Sequence, residues 1–486
     1  MEQNTTIERK AAKGGLWLAG FKFTTQIFSW AVTVVIARIL APEDYGLMEM
    51  ATILTGYVAV FNDLGLGSAI IQREDIQDQE LSSLFYIAIF WGCLLALICL
   101  VLAYPTAAIL NDARMLRITQ TVSLLFIIGS FSIVSIHILH RELRFKVLGL
   151  IEALAVMCAS IAMLFIAKAG GGVWTLVLGM IVRESARVVL VFCFVHWRPR
   201  IHFDFKEVKP YLKFGLNLVG AQSLYYLYMK SDSFFGGKIL GANALGYYTM
   251  ALQLSAIPLD KVISLINSVS FPVFSRYQYQ QNDFNDFFLK LVKIIGSITI
   301  PVFVAGFLLG DQLIALVLGE KWMRLIPIFK ILCIGQIFVS ITIPSGTANM
   351  AQGRVGWTLY MSMVNLILFP ISFYLAAKHG LEAMVIPWIT IIPIARFVFT
   401  LITLRKLGIS FIRYCISLLH PLLATGCMIF AILFLKGVIH SNFTIIYPKM
   451  DLAITMAVSA CTYMVYCVIF QRAFVISILS LMKSNQ

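Results

Sequence analysis

Charge is scarce in this chain. Asp, Glu, Lys and Arg make up 13% of its 486 residues, about half the share of a soluble domain, and no polar stretch is long enough to fold in water. Nucleotide and metal signatures are missing too: there is no DxD, GxxxxGK(S/T), GxGxxG or HExxH. Their absence excludes a phosphate loop, a dinucleotide crossover and a zincin-type centre, so no metal or cofactor is expected. The nine cysteines (Cys93, Cys99, Cys158, Cys193, Cys333, Cys415, Cys427, Cys461, Cys467) form no CxxC and no Cys/His cluster. They are expected to be small buried hydrophobes, without disulfides. No outer connector is long enough to carry a catalytic domain, so enzymatic chemistry has no scaffold.

What is abundant is hydrophobic length, with 60% hydrophobic residues. About fourteen runs reach the roughly 20 residues that span a bilayer. The spans are read as 14–37, 46–66, 81–104, 117–138, 147–167, 172–195, 211–231, 245–267, 289–310, 325–348, 356–377, 382–403, 414–436 and 450–471. The fold class is therefore all-α, a polytopic membrane protein. Met1–Gly14 is polar with Arg9, Lys10 and Lys13, and no small-residue cleavage site follows, so a retained first helix is expected.

The net charge of +14 does not point to nucleic acid, because the basic residues cluster at helix ends. Counting Lys and Arg in alternate connectors gives 20 on one side and 10 on the other. The positive-inside rule then places both termini in the cytoplasm. The longest connectors, 196–210 and 268–288, fall on that same side.

An offset of 200 residues aligns Arg38-Ile39-Leu40 with Lys238-Ile239-Leu240, Gly46 with Gly246, Met50-Ala51 with Met250-Ala251, and Leu54 with Leu254. It pairs the first span with the seventh and the second with the eighth. This predicts an N-terminal lobe (1–195), a cytoplasmic linker (196–210), a C-terminal lobe (211–403) and two appended helices (404–486). Two parallel repeats with a cleft between them suit alternating access. Proline is absent from the first seven spans, whereas Pro258, Pro301, Pro344, Pro370, Pro387, Pro393 and Pro421 fall in later ones. Kinks are expected in the second lobe, either moving or static.

A charge at membrane depth is costly unless it faces a cavity or a partner. Those here are Lys22, Glu49, Asp63, Glu152, Arg183, Glu184, Arg187, Lys230, Asp232, Asp260, Lys261 and Arg396. Lys22 either snorkels to the interface or offers a cation to the cleft. Arg183 and Arg187 share one helix face. They either present two guanidinium forks to phosphate oxygens or form a local ion-pair cluster with Glu184 or Glu152. Lys230 is a further candidate cation of the cavity, with pairing across helices as its alternative. Glu49, Asp63 and Asp232 are candidates for ion coupling; for Asp63, capping of the second helix is the other reading.

The stretch Ala37–Gly46 (ARILAPEDYG), followed by Asn62–Arg73 (NDLGLGSAIIQR), resembles the bacterial polysaccharide exporters. These are the lipid-linked oligosaccharide flippases of the multidrug/oligosaccharidyl-lipid/polysaccharide (MOP) superfamily. Leu245–Tyr248 (LGYY), Phe271–Arg276 (FPVFSR) and Leu318–Trp322 (LGEKW) are similar as well, and the pattern looks nearest to colanic acid-type or lipopolysaccharide repeat-unit exporters. The resemblance implies two six-helix bundles with two extra helices. It also implies an undecaprenyl-diphosphate-linked oligosaccharide as substrate, turned from the inner to the outer leaflet of the cytoplasmic membrane. A cationic cavity receives the diphosphate in such proteins, and Lys22 fits that pattern best. The polysaccharide polymerase and export machinery are candidate partners beside the lipid bilayer. The competing readings are a drug or cation antiporter of the same superfamily, and a membrane glycan polymerase or glycosyltransferase.

Overall fold

The computed structural model describes residues 25–26, 28–62, 67, 70, 76–205, 220, 222–442 and 448–470. The described elements are helical: α1 (Phe28–Ile39), α2 (Pro42–Ala59), α3 (Asp78–Leu110), α4 (Arg114–Arg141), α5 (Phe145–Lys168), α6 (Trp174–Phe194), α7 (222–229), α8 (Ser231–Arg276), α9 (Gln281–Val317), α10 (Ile326–Ala351), α11 (Val355–Lys378), α12 (Ile391–Leu407), α13 (Phe411–Asn442) and α14 (Pro448–Phe470). Helices are what lipid demands, since each backbone N–H and C=O must be satisfied within its own segment. Nine helices among the described residues are long and apolar enough to cross a bilayer. Neither α2 nor α6 is among them, and each carries three charged residues: Glu43, Asp44 and Glu49 on α2, and Arg183, Glu184 and Arg187 on α6.

Two compact units divide the chain, Met1–Gly246 and Tyr247–Gln486. In the first, α3 packs along α4, α5 along α6, and α4 also meets α6. Small residues let the backbones approach, as lipid-embedded helices require: Gly92 of α3 rests on the Phe126 carbonyl and Ser130 of α4. Pro42 opens α2 at its first turn, where the Ala41 N–H donates to Asp44 Oδ2 at 2.9 Å. Successive connectors alternate between two ends. At one end, Arg114 pairs with Glu43 at 2.6 Å and with Asp112 at 2.8 Å. At the other, the connector after α6 is pinned to the start of α3, with the Arg200 N–H donating to Ser82 Oγ (3.0 Å) and the Asp204 N–H to Ser83 Oγ (3.1 Å).

In the second unit, α9 lies between α10 and α13 around Phe274, Phe284, Phe288, Val292, Ile295 and Tyr414. Polar bonds cross between helices: Thr299 to Ser340 at 2.8 Å, Asn349 Nδ2 to Thr403 Oγ1 at 2.7 Å, and Trp388 Nε1 to Tyr248 OH at 2.8 Å. An apolar cavity of about 470 Å³ lies among α8, α9, α10, α13 and α14, with Pro258, Phe303, Phe329, Met428 and Met456 in its wall.

Several expectations change. Of the nine thiols, all free, Cys99 and Cys333 are buried, Cys467 is intermediate, and the other six lie on the outer face of the helices. In lipid the outward face is as apolar as the core, so hydrophobicity does not report burial. The third helix runs to Leu110 and takes in Pro105. The connector expected between the seventh and eighth spans is helical and continuous with α8, broken only at Gly241 (φ 81°, ψ 175°). The twelfth span is three pieces, Glu382–Val385, Ile386–Ile389 and α12, around Pro387 and Pro393.

Candidate functional site

Arg183 is the tenth residue of the 21-residue α6, about 14 Å along a helix of about 31 Å, close to its midpoint. Arg187, one turn on, leaves the same face, and both reach α5. Arg183 Nη2 lies 3.3 Å from Glu152 Oε2, and Arg187 Nη1 lies 3.6 Å from Glu152 Oε1. Arg187 is also hydrogen-bonded through Nη2 to Glu184 Oε1. Gly129 of α4 makes room for that carboxylate, since a Cβ there would sit 3.0 Å from Glu184 Oε1. Two guanidiniums thus face two carboxylates, and the quartet is neutral. It is not sealed: the Arg183 side chain is 52% exposed, whereas that of Glu184 is 15% exposed. One donor is unspent, because Arg187 Nε is buried without a hydrogen-bond partner.

A second pair joins α2 to the α7–α8 junction. Lys230 Nζ donates to Glu49 Oε1 at 2.6 Å, and Ser233 Oγ donates to the same oxygen at 2.7 Å. Nearby, Tyr226 OH donates to the Thr52 carbonyl at 2.7 Å, in a space that Gly56 leaves by having no side chain. Asp232 is 2% exposed and accepts the Ser233 N–H at 2.6 Å.

The structure therefore brings Arg183 and Arg187 together as the sequence spacing requires, but as members of an ion-pair cluster, not as an open fork. Lys230 is likewise paired, with Glu49. Lys22 and Asp63 lie outside the described residues. No grouping of His, Cys, Asp and Glu among the described residues could hold a metal ion. Sequence reasoning missed Ser233 and Tyr226, whose signal lay in Gly56 and in the serine after Asp232. It also missed the cavity of the second unit, whose wall residues look like any other apolar helix face.

The chain is 25% identical over 420 residues to the lipopolysaccharide biosynthesis protein WzxC of Escherichia coli (strain K12), covering 86% of this chain and 85% of that one. Its backbone is similar to that of the lipid II flippase MurJ in an inward closed conformation, with a TM-score of 0.70, 14% identity, and coverage of 95% of this chain and 100% of that one. An inward-facing multidrug resistance MATE family transporter of the MOP superfamily matches at a TM-score of 0.64 and 16% identity, covering 78% of this chain and 94% of that one. At such identities the two structures establish the fold alone, a polytopic all-helical one. Residues 35–327, more than half of the chain, match the family model described as "Polysaccharide biosynthesis protein", and the chain belongs to that family.

Proposed function

We propose that this protein is a flippase that moves an undecaprenyl-diphosphate-linked oligosaccharide repeat unit from the inner to the outer leaflet of the bacterial cytoplasmic membrane, with both termini in the cytoplasm. One observation carries the reading. Arg183 and Arg187, midway along α6, converge on a single carboxylate, and guanidinium pairs that close on a carboxylate match phosphate oxygens equally well. A diphosphate cannot cross hydrocarbon bare, and its sugars bring hydroxyls that need partners. A polar path through helices meets both needs while no covalent bond changes.

Membership of a polysaccharide biosynthesis family and similarity to WzxC support a glycan as cargo. Lys22 belongs to the proposal as a third cation, and the division into lobes 1–195 and 211–403 as its moving parts. Coupling to a proton or sodium gradient falls to Glu49, Asp63 and Asp232. An exchanger of cationic drugs needs carboxylates available to its cargo; Glu49 is instead engaged by Lys230 and Ser233.

The test is a deletion strain complemented with wild type, Lys22→Ala or the double reversal Arg183→Glu/Arg187→Glu, assayed for lipid-linked intermediate on each leaflet. Wild type should clear the inner leaflet, and both variants should leave the intermediate there while still reaching the membrane. Normal surface polysaccharide from both variants overturns the reading. So does an intermediate that stacks up on the outer leaflet of the deletion strain, which is the mark of a missing polymerase.

A further inference from the structure

We propose that Glu152 is a built-in competitor for the diphosphate: its carboxylate occupies the two-arginine site when cargo is absent, and cargo must displace it. This rests on the flippase reading and deepens it. Glu152 spans both guanidiniums, one oxygen to Arg183 and the other to Arg187, which is how a phosphate with two free oxygens would sit between them. The contacts of 3.3 and 3.6 Å are long for charge-assisted bonds, which run at about 2.7–2.9 Å. Glu184 differs in kind. It holds Arg187 closely from its own helix, three residues away, in a niche that Gly129 keeps open. One carboxylate orients the site and the other fills it.

The buried, unpartnered Arg187 Nε is a further donor that Glu152 leaves unused and a tetrahedral anion could take. A resident carboxylate answers two physical requirements at once. It neutralises two arginines at membrane depth, where lone charges are costly. It also weakens binding enough to allow release, since a site that holds cargo too firmly cannot export it. After cargo leaves, Glu152 closes the site again without waiting for a solvent anion.

The experiment uses the full-length protein in nanodiscs with farnesyl diphosphate as probe. Glu152→Gln should bind it about tenfold more tightly than wild type, equivalent to about 1.4 kcal/mol, and yet export less polysaccharide in cells. Glu184→Gln should bind more weakly, because Arg187 loses its orienting partner, and Arg183→Gln should lose most of the binding. Glu152→Asp, one methylene shorter and still charged, should fall between wild type and Glu152→Gln; it substitutes for Glu152→Gln if that variant does not fold.

Unchanged or weaker binding by Glu152→Gln, with a melting temperature within about 2 °C of wild type, overturns the proposal and leaves Glu152 a structural counter-ion. Parallel loss in Glu152→Gln and Glu184→Gln overturns it as well. Binding that is lost in Arg183→Gln but not raised in Glu152→Gln sinks this inference and spares the flippase reading. Absence of any binding to wild type sinks both.

Discussion

Gly46 and Gly246 press on each other's helices reciprocally: a Cβ on Gly46 would lie 1.7 Å from the Ala242 carbonyl oxygen, and one on Gly246 would lie 1.7 Å from that of Pro42. The same two relations exchange under the 200-residue offset seen in the sequence, 42 with 242 and 46 with 246. The contact is a local pseudo-two-fold axis made by the repeat itself. It leaves no space for a methyl group on either side, and the obstructing atoms are backbone. Gly46→Ala and Gly246→Ala should each cost about 1–3 kcal/mol or more, seen as a lowered melting temperature in detergent. Gly426→Ala in α13, where a Cβ meets open space, should be neutral or stabilising. Equal melting of all three would show that α2 and α8 part easily.

The connector after α6 gives a test of orientation. Ile201 is fully exposed, and Tyr279, in the connector expected on the same side, is 93% exposed. Cysteines placed at 201 and 279 should react with a membrane-impermeant maleimide only after the cells are opened. A cysteine at the exposed His379 position should react in intact cells. Labelling of 201 in intact cells reverses the topology.

Much of the fold was legible because spanning helices announce themselves by length and charge-free composition, and α4, α5, α6, α10, α11 and α14 lie within three residues of the expected spans at both ends. Boundaries were harder. Leu110 and Arg276 end helices well past the expected spans because membrane helices project beyond the hydrocarbon, where polar residues no longer stop them. The site was legible in part: the spacing of Arg183 and Arg187 fixed a shared face, but nothing in it could say whether Glu152 would reach them from α5. That depends on the rotation of α5 against α6, a tertiary fact. Lys230 and Glu49 are 181 residues apart in sequence, and no local pattern connects them.

Asp112 predicts an acid-sensitive tie. Hydrogen bonds from the Arg114 side chain, and then from its backbone N–H, hold the Asp112 carboxyl below its ordinary range against a partial burial that pushes it up. A carboxyl depressed in the folded state adds stability above its unfolded pKa of about 4, and that contribution is lost as pH falls through the lower folded value. At pH 7, Asp112→Asn should therefore cost about 1 kcal/mol or less, and the gap between variant and wild type should close as pH drops from about 6 to about 3. Thermal melts over that range measure it. A gap that widens in acid would contradict the assignment.

The pair Lys230–Glu49 should behave as a coupled unit. Its members are largely covered, with 34% and 15% side-chain exposure, so removing one leaves the other with a charge it cannot fully solvate. Lys230→Gln and Glu49→Gln should each lower stability by about 1–3 kcal/mol. The double variant should cost less than the sum, giving a coupling of about 1 kcal/mol or more in a double-mutant cycle. Ser233→Ala adds a separate reading, because its hydroxyl donates to the same Glu49 oxygen. It should weaken wild type by about 1 kcal/mol and leave the Glu49→Gln background nearly unaffected. Denaturant titrations of the five proteins together with wild type measure all of these differences. If the single losses simply add, the 2.6 Å contact contributes no coupling, and α2 is held by its other contacts, among them Ser233 on Glu49, Tyr226 on the Thr52 carbonyl and the glycine contact with α8.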